Sequence, residues 1–194
     1  KVREKFDDGK PIQNPVISVS EIVKKDFKVE ASRGLSRGHL LNRAASISTG
    51  IQVHKILELL RYSPDGINKS LIHKMFAKRA PDIIACLDYI KKLETPQMMK
   101  IIENGFAEWG YLFKDGAKII EGQIDLWGEV GAEAWIIDYK TGSAEYKETA
   151  KLQLLEYARA LRAYGVTKPI RLAAVYPMTH EYEIWEGSEV TPSY

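Results

Sequence analysis

The spacing of apolar residues along the chain divides it into two halves. In the first half the apolar residues recur at helical spacing. Val53, Ile56, Leu57 and Leu60 mark one face of an amphipathic helix over 50–62, which Pro64, Asp65 and Gly66 end. The same period predicts helices over about 67–79, 81–94 and 96–104, the second with Asp82 near its start and Lys91 and Lys92 near its end. Before them, residues 1–15 read as a polar arm and Val16–Val19 as a short β run. Ser20 opens a short helix to about Lys28, and 31–49 is a loop rich in Gly, Ser and Arg.

From residue 105 the period changes to two. Residues 105–113 alternate, Lys114-Asp115-Gly116 signals a hairpin, and 117–127 and 134–140 read as two further strands about a Gly-rich turn at 128–133. A long helix follows over 145–164, with Leu154, Ala158 and Leu161 as its core stripe and Gly165 at its end. Residues 169–177 form a nearly continuous apolar strand. Such a strand lies inside a sheet, and its crossover helix favours parallel pairing with an earlier strand. Residues 181–186 alternate and read as an outer strand. The expected fold is α/β: an antiparallel three-strand meander, a crossover helix and two further strands, with a helical N-terminal lobe. The helical lobe spans about 16–104 and the sheet about 105–186 of one domain at 16–194.

Composition narrows the class without naming a function. The 194 residues suit one domain, and no run of about 18 apolar residues predicts a membrane span. The single cysteine, Cys86, excludes an internal disulfide, a four-cysteine zinc site and a cysteine-ligated iron–sulfur cluster. It suits a reducing, cytoplasmic setting. Net charge is +2, but residues 1–100 hold 19 Lys and Arg against 11 Asp and Glu, while 101–194 hold 9 against 15. A basic half beside an acidic half suits a polyanion-binding surface next to a cation-binding centre. Arg33, Arg37 and Arg43, spaced among Gly and Ser, are candidates to follow a phosphate backbone. The chain starts at Lys1 rather than Met, which suits a piece of a longer protein.

Two aspartates interrupt apolar strands: Asp125 in Gly-Gln-Ile-Asp-Leu-Trp and Asp138 in Trp-Ile-Ile-Asp-Tyr-Lys. A carboxylate inside a strand is costly unless it is paired or binds a cation. Period two puts Lys140 on the face of Asp138. Two carboxylates near one ammonium can hold Mg²⁺ or Mn²⁺ against a phosphodiester; a structural Asp–Lys salt bridge is the alternative. Gln153 and Tyr157 share a helix face, expected beside the core stripe, where an unpaired amide and a phenol suit phosphate and water. His54 stands one turn before Glu58, which can orient its imidazole. His39, His73 and His180 read as structural or surface residues. Trp109 and Trp127 read as strand core, with base stacking as the alternative.

Taken together, these segments resemble the RecB-like nuclease family of the PD-(D/E)XK phosphodiesterases. The resemblance rests on Gly-x-Ile-Asp-Leu at 122–126, Asp-Tyr-Lys-Thr-Gly at 138–142, Gln-Leu-x-x-Tyr-Ala at 153–158, Gly-x-x-Val-His-x-x-Leu-Glu at 50–58, Glu-Trp-Gly-Tyr at 108–111 and Ile-Ser-Val-Ser-Glu at 17–21. It implies a restriction-endonuclease-like core. It also implies metal ligation by His54, Asp125, Asp138 and the Tyr139 carbonyl, with Lys140 as catalytic lysine. Gln153 and Tyr157 would then line the site, and Glu108 would be an acidic residue beside it. The activity implied is Mg²⁺- or Mn²⁺-dependent hydrolysis of DNA, single-stranded or at duplex ends. The setting implied is recombinational repair, with a helicase motor in the same chain and a partner subunit. A free-standing exonuclease, a silent DNA-binding module and a scaffold with a structural Asp–Lys cluster are the alternatives.

Overall fold

The structure, a computed structural model, describes residues 16–18, 69–140 and 144–187. Among them are β1 (Val16–Ser18), α1 (Lys69–Phe76), α2 (Ala80–Ile90) and α3 (Pro96–Asn104). They are followed by β2 (Phe106–Asp115), β3 (Lys118–Val130), β4 (Glu133–Tyr139), α4 (Lys147–Ala163), β5 (Ile170–Tyr176) and β6 (Glu181–Glu186). The helix over 50–62, the entry helix after Ser20, the loop at 31–49 and the arm at 1–15 lie outside the described residues.

β3 is the spine of the sheet. β2 pairs along one of its edges, antiparallel, from Phe106↔Trp127 to Asp115↔Lys118. The other edge is shared. β1 runs parallel to its first part, with Val16↔Ile119 to Ser18↔Glu121, and β4 runs antiparallel to its last part, with Leu126↔Ile137 to Val130↔Glu133. β5 lies parallel to β4, and β6 antiparallel to β5. The meander, the parallel crossover and the outer last strand are as the period of the sequence predicts. The sequence reading did not place β1 in the sheet. It also placed the second turn too broadly: β3 continues through Gly128 to Val130, and the turn is Gly131-Ala132 alone, with Gly131 at φ +59°.

Helices cover both faces, which explains why β4 and β5 are apolar almost throughout. On one face Ile83, Cys86, Leu87 and Ile90 of α2, with Met98 and Ile101 of α3, pack on Leu126, Trp135, Ile137 and Val175. On the other, Leu154, Ala158 and Leu161 of α4 pack on Ile120, Ile124, Ile136 and Leu172. α2 carries Pro81 in its first turn and presents its apolar residues at i, i+3, i+4 and i+7. α3 stops at Gly105, whose N–H reaches the Ile101 carbonyl at 2.7 Å. A side chain at 105 would run into the carbonyls of Ile101 and Trp127.

Candidate active site

The site forms where β4 parts from β3. The β3–β4 ladder ends at Leu126↔Ile137, and Asp125 and Asp138 are the next residues on each strand. In place of a carbonyl, Oδ2 of Asp125 accepts the Tyr139 N–H at 2.8 Å. β1 and β4 approach the same edge of β3 from opposite directions, so both strands end near this point.

Across β3 the pleat also breaks. Ala107 and Leu126 pack on the α2–α3 side, yet Trp109 and Ile124, two residues away on each strand, pack with α4. Regular alternation would keep residues two apart on one face. Glu108, between them on β2, sits at φ +50°, a conformation rare outside glycine. Its Oε2 and its carbonyl accept from Nε2 of Gln123 at 2.7 and 3.3 Å.

Asp138 lies on the α4 face and is buried, the one charged residue among those described that is. Its Oδ2 stands 2.6 Å from Nζ of Lys140. That contact is ionic and lacks hydrogen-bond geometry, so the buried Oδ2 keeps an open lone pair among the described residues. Nζ of Lys140 also donates to Oε1 of Gln153 at 2.6 Å, and Nε2 of Gln153 donates to the Tyr157 hydroxyl at 2.5 Å. These bonds fix which way the Gln153 amide faces. Gln153 therefore accepts from Lys140 and donates to Tyr157, where the sequence suggested an unpaired amide. Tyr157 is buried within the core beneath α4 rather than beside it.

Asp125 keeps some contact with solvent, but its carboxyl lies deep enough that burial dominates its titration. Burial, and next the charge of Asp138, push its pKa well above the usual carboxylate range. The Tyr139 N–H and Lys140 oppose that shift. Two carboxylates share one ammonium, so the cluster is one positive charge short. Oxygen-only and electron-rich, the pair fits a hard divalent cation such as Mg²⁺ or Mn²⁺. Among the described residues no three His, Cys, Asp or Glu converge on one point; His54, the further ligand the resemblance implies, lies outside them. So do Glu58, Arg33, Arg37, Arg43 and His39.

The remaining candidates take ordinary places. His73 is exposed on α1. His180 is exposed at a turn and stacks on Tyr89 with ring centroids 5.0 Å apart. Cys86 is buried, with Sγ 3.3 Å from Sδ of Met178, and burial pushes its thiol up to about 11. Trp109 and Trp127 are half-buried and meet edge to face, centroids 5.5 Å apart.

One residue near the site, quoted in the 108–111 motif, was given no role of its own from the sequence. Tyr111 is buried, its ring is edge-on to Tyr157 at 6.1 Å, and its hydroxyl has no hydrogen-bond partner among the described residues. The signal was present: Tyr111 pairs with Gly122, and a side chain at 122 would run into that hydroxyl.

A family model of the PD-(D/E)XK nuclease superfamily matches residues 24–186, most of the chain. The chain belongs to that superfamily, whose members are generally nucleases and typically use divalent metals such as Mg²⁺. No curated protein matches it. Among the described residues, no helix is long and apolar enough to cross a membrane.

Proposed function

We propose that this chain hydrolyses phosphodiester bonds of DNA, using Mg²⁺ or Mn²⁺ held by Asp125 and Asp138. The Tyr139 carbonyl and His54 are proposed as further ligands on the strength of the motif match. The observation that carries the reading is buried Asp138 beside half-buried Asp125, with Lys140 paired to Asp138 and held in turn by Gln153, itself bonded to Tyr157. A purely structural salt bridge needs one carboxylate and no second one beside it.

When bound, the cation supplies Lewis-acid activation of the phosphodiester and of the attacking water. The protein groups divide the remaining work. One Lys140 donor goes to Gln153 and the ammonium stands in ionic contact with Asp138, which leaves a donor for a water or a phosphoryl oxygen. That donor orients the water for in-line attack and neutralises charge as it grows on the phosphoryl oxygens. Gln153 and Tyr157 hold the ammonium in place, so no reorientation is needed in the transition state. Water adds to phosphorus and gives up a proton to solvent, the P–O ester bond breaks, and the leaving oxygen takes a proton from solvent. Glu108 acts indirectly, through Gln123 and the kink opposite Asp125.

The setting within a helicase–nuclease of recombinational repair, with a motor in the same chain and a partner subunit, rests on the RecB-like motifs alone. The test of the activity is cleavage of linear single- and double-stranded DNA with Mg²⁺, Mn²⁺ or EDTA, beside Asp138→Ala. Metal-dependent cleavage lost in the variant is the expected result. Equal cleavage by purified Asp138→Ala overturns the mechanism.

A further inference from the structure

At the end of the sheet, β4, β5 and β6 set out two rows of side chains on the α4 face. The Lys140 N–H donates to the Val175 carbonyl at 2.8 Å, so Tyr176 stands beside Lys140 in register, and Tyr176 in turn pairs with Glu181. Two residues back, Asp138 pairs with Ala174, and Ala174 with Glu183. Lys147 of α4 meets Glu183 at 3.2 Å, which puts Glu183 on the α4 side, and alternation carries Glu181 there too. The two glutamates on β6 therefore lie two strand spacings from Lys140, about 10 Å between backbones. An extended lysine and an extended glutamate can close that distance.

Tyr176 stands in the way. It is 1% exposed, within the cluster beneath α4, and its neighbour Ala174 carries only a methyl group. Its hydroxyl makes no hydrogen bond among the described residues, so what Tyr176 gives the site is the bulk of its ring. Burial, and then the charges of Asp138, Glu183 and Glu181, push the hydroxyl above the usual phenol range, in keeping with a place between Asp138 and the two glutamates. Lys147 answers the charge of Glu183. Glu181 accepts from the Thr179 hydroxyl at 3.0 Å and has no ion pair among the described residues. An ammonium free to cross β5 would find attractive charge on the far side.

We infer that Tyr176 is a positioning residue for Lys140: its ring walls the ammonium off from Glu181 and Glu183 and so keeps it on Asp138 and Gln153. The inference rests on the nuclease reading. It adds that the aim of Lys140 is set from β5, by a side chain buried away from any substrate.

The test uses the full chain on linear DNA with Mg²⁺. Tyr176→Ala should lower kcat about 10- to 100-fold, the scale of a displaced catalytic group, with little change in KM. Tyr176→Phe, which keeps the ring, should match wild type. The pair Glu181→Gln and Glu183→Gln should match wild type by itself and, added to Tyr176→Ala, should restore most of the lost kcat. A ring needed only for packing predicts no such rescue. A crystal structure of Tyr176→Ala should show Nζ of Lys140 turned from Gln153 toward β6. If Tyr176→Ala does not fold, Tyr176→Leu takes its place with the same expectations. Unchanged kcat, no rescue by the glutamines, or Lys140 still on Gln153 in the crystal overturns the wall and leaves the nuclease reading standing. A wild-type protein that does not cleave DNA overturns the nuclease reading, and the crystal structure then decides the wall by itself.

Discussion

Replacing Asp125 by Asn should stabilise the metal-free protein at neutral pH. The Asn side chain mimics the protonated carboxyl and can still accept the Tyr139 N–H, so the end of the β3–β4 ladder is kept. What it removes is a charge that burial and Asp138 both oppose. The sign follows from linkage. The folded pKa of Asp125 lies above its unfolded value, so between the two the folded state binds the extra proton. Stability is therefore lost as pH rises from the ordinary carboxylate range through the raised pKa. Each pKa unit of that rise is about 1.4 kcal/mol, and 1 kcal/mol is about 2–4 °C of Tm in a chain of this size. The shift is already net of the Tyr139 hydrogen bond and of Lys140. Asp125→Asn should thus raise Tm near pH 7 in EDTA, with the gap closing toward pH 4. Added Mn²⁺ should raise the wild-type Tm, because it favours the ionised form, and should do little for the variant. The assay is thermal unfolding followed by dye fluorescence across that pH range. An Asn variant less stable than wild type at pH 7 in EDTA, or with the same pH slope, would refute the argument.

Other expectations follow from single contacts. Lys140→Ala should bind Mn²⁺ in calorimetry yet cleave about 10²-fold more slowly or worse, the scale of one lost transition-state donor. Loss of Mn²⁺ binding would contradict that division of roles. Gln153→Leu should lower kcat with little change in KM, since it frees Lys140 without touching the carboxylates; an unchanged kcat would remove Gln153 from the positioning chain. Gly105→Ala should cost about 1–3 kcal/mol by driving a methyl into two backbone carbonyls, read as a fall in Tm at unchanged unfolding cooperativity. Cys86 should resist alkylation at pH 8 in the folded protein and react at once in denaturant, because its thiol is buried and titrates near 11.

What the sequence made legible was local. Alternation located β2 through β4, and the 3.6 period located α4 and its Leu154–Ala158–Leu161 stripe, because each face is buried against one layer. Two aspartates in apolar strands stood out for the same reason, and the Lys140 partner followed from period two. The rest depended on pairings far apart in the chain. The break of pleat at Glu108 and Asp125 is invisible in either strand alone, since each reads as regular alternation. Tyr157 looked peripheral on a helical wheel because the wheel does not show that Tyr111 and the sheet close over it. Gln153 looked unpaired because its partner, Lys140, belongs to another element. Tyr111 looked like one more aromatic strand residue until Gly122 was placed opposite it.

The two-residue turn Gly131-Ala132 lies some 17 Å of extended strand from Asp138, yet it decides whether that residue faces the site. Strand register here is a setting with two positions. Slipping β4 by one residue against β3 would turn Asp138 and Lys140 to the α2–α3 side and bring Ile137 and Tyr139 to face α4. An insertion of one residue in that remote turn would therefore disarm the proposed centre without changing a residue in it. Length at this turn should be under stricter constraint than its composition, since only Gly131 needs its left-handed conformation. A family of such domains could lose activity through a single codon inserted far from the chemistry.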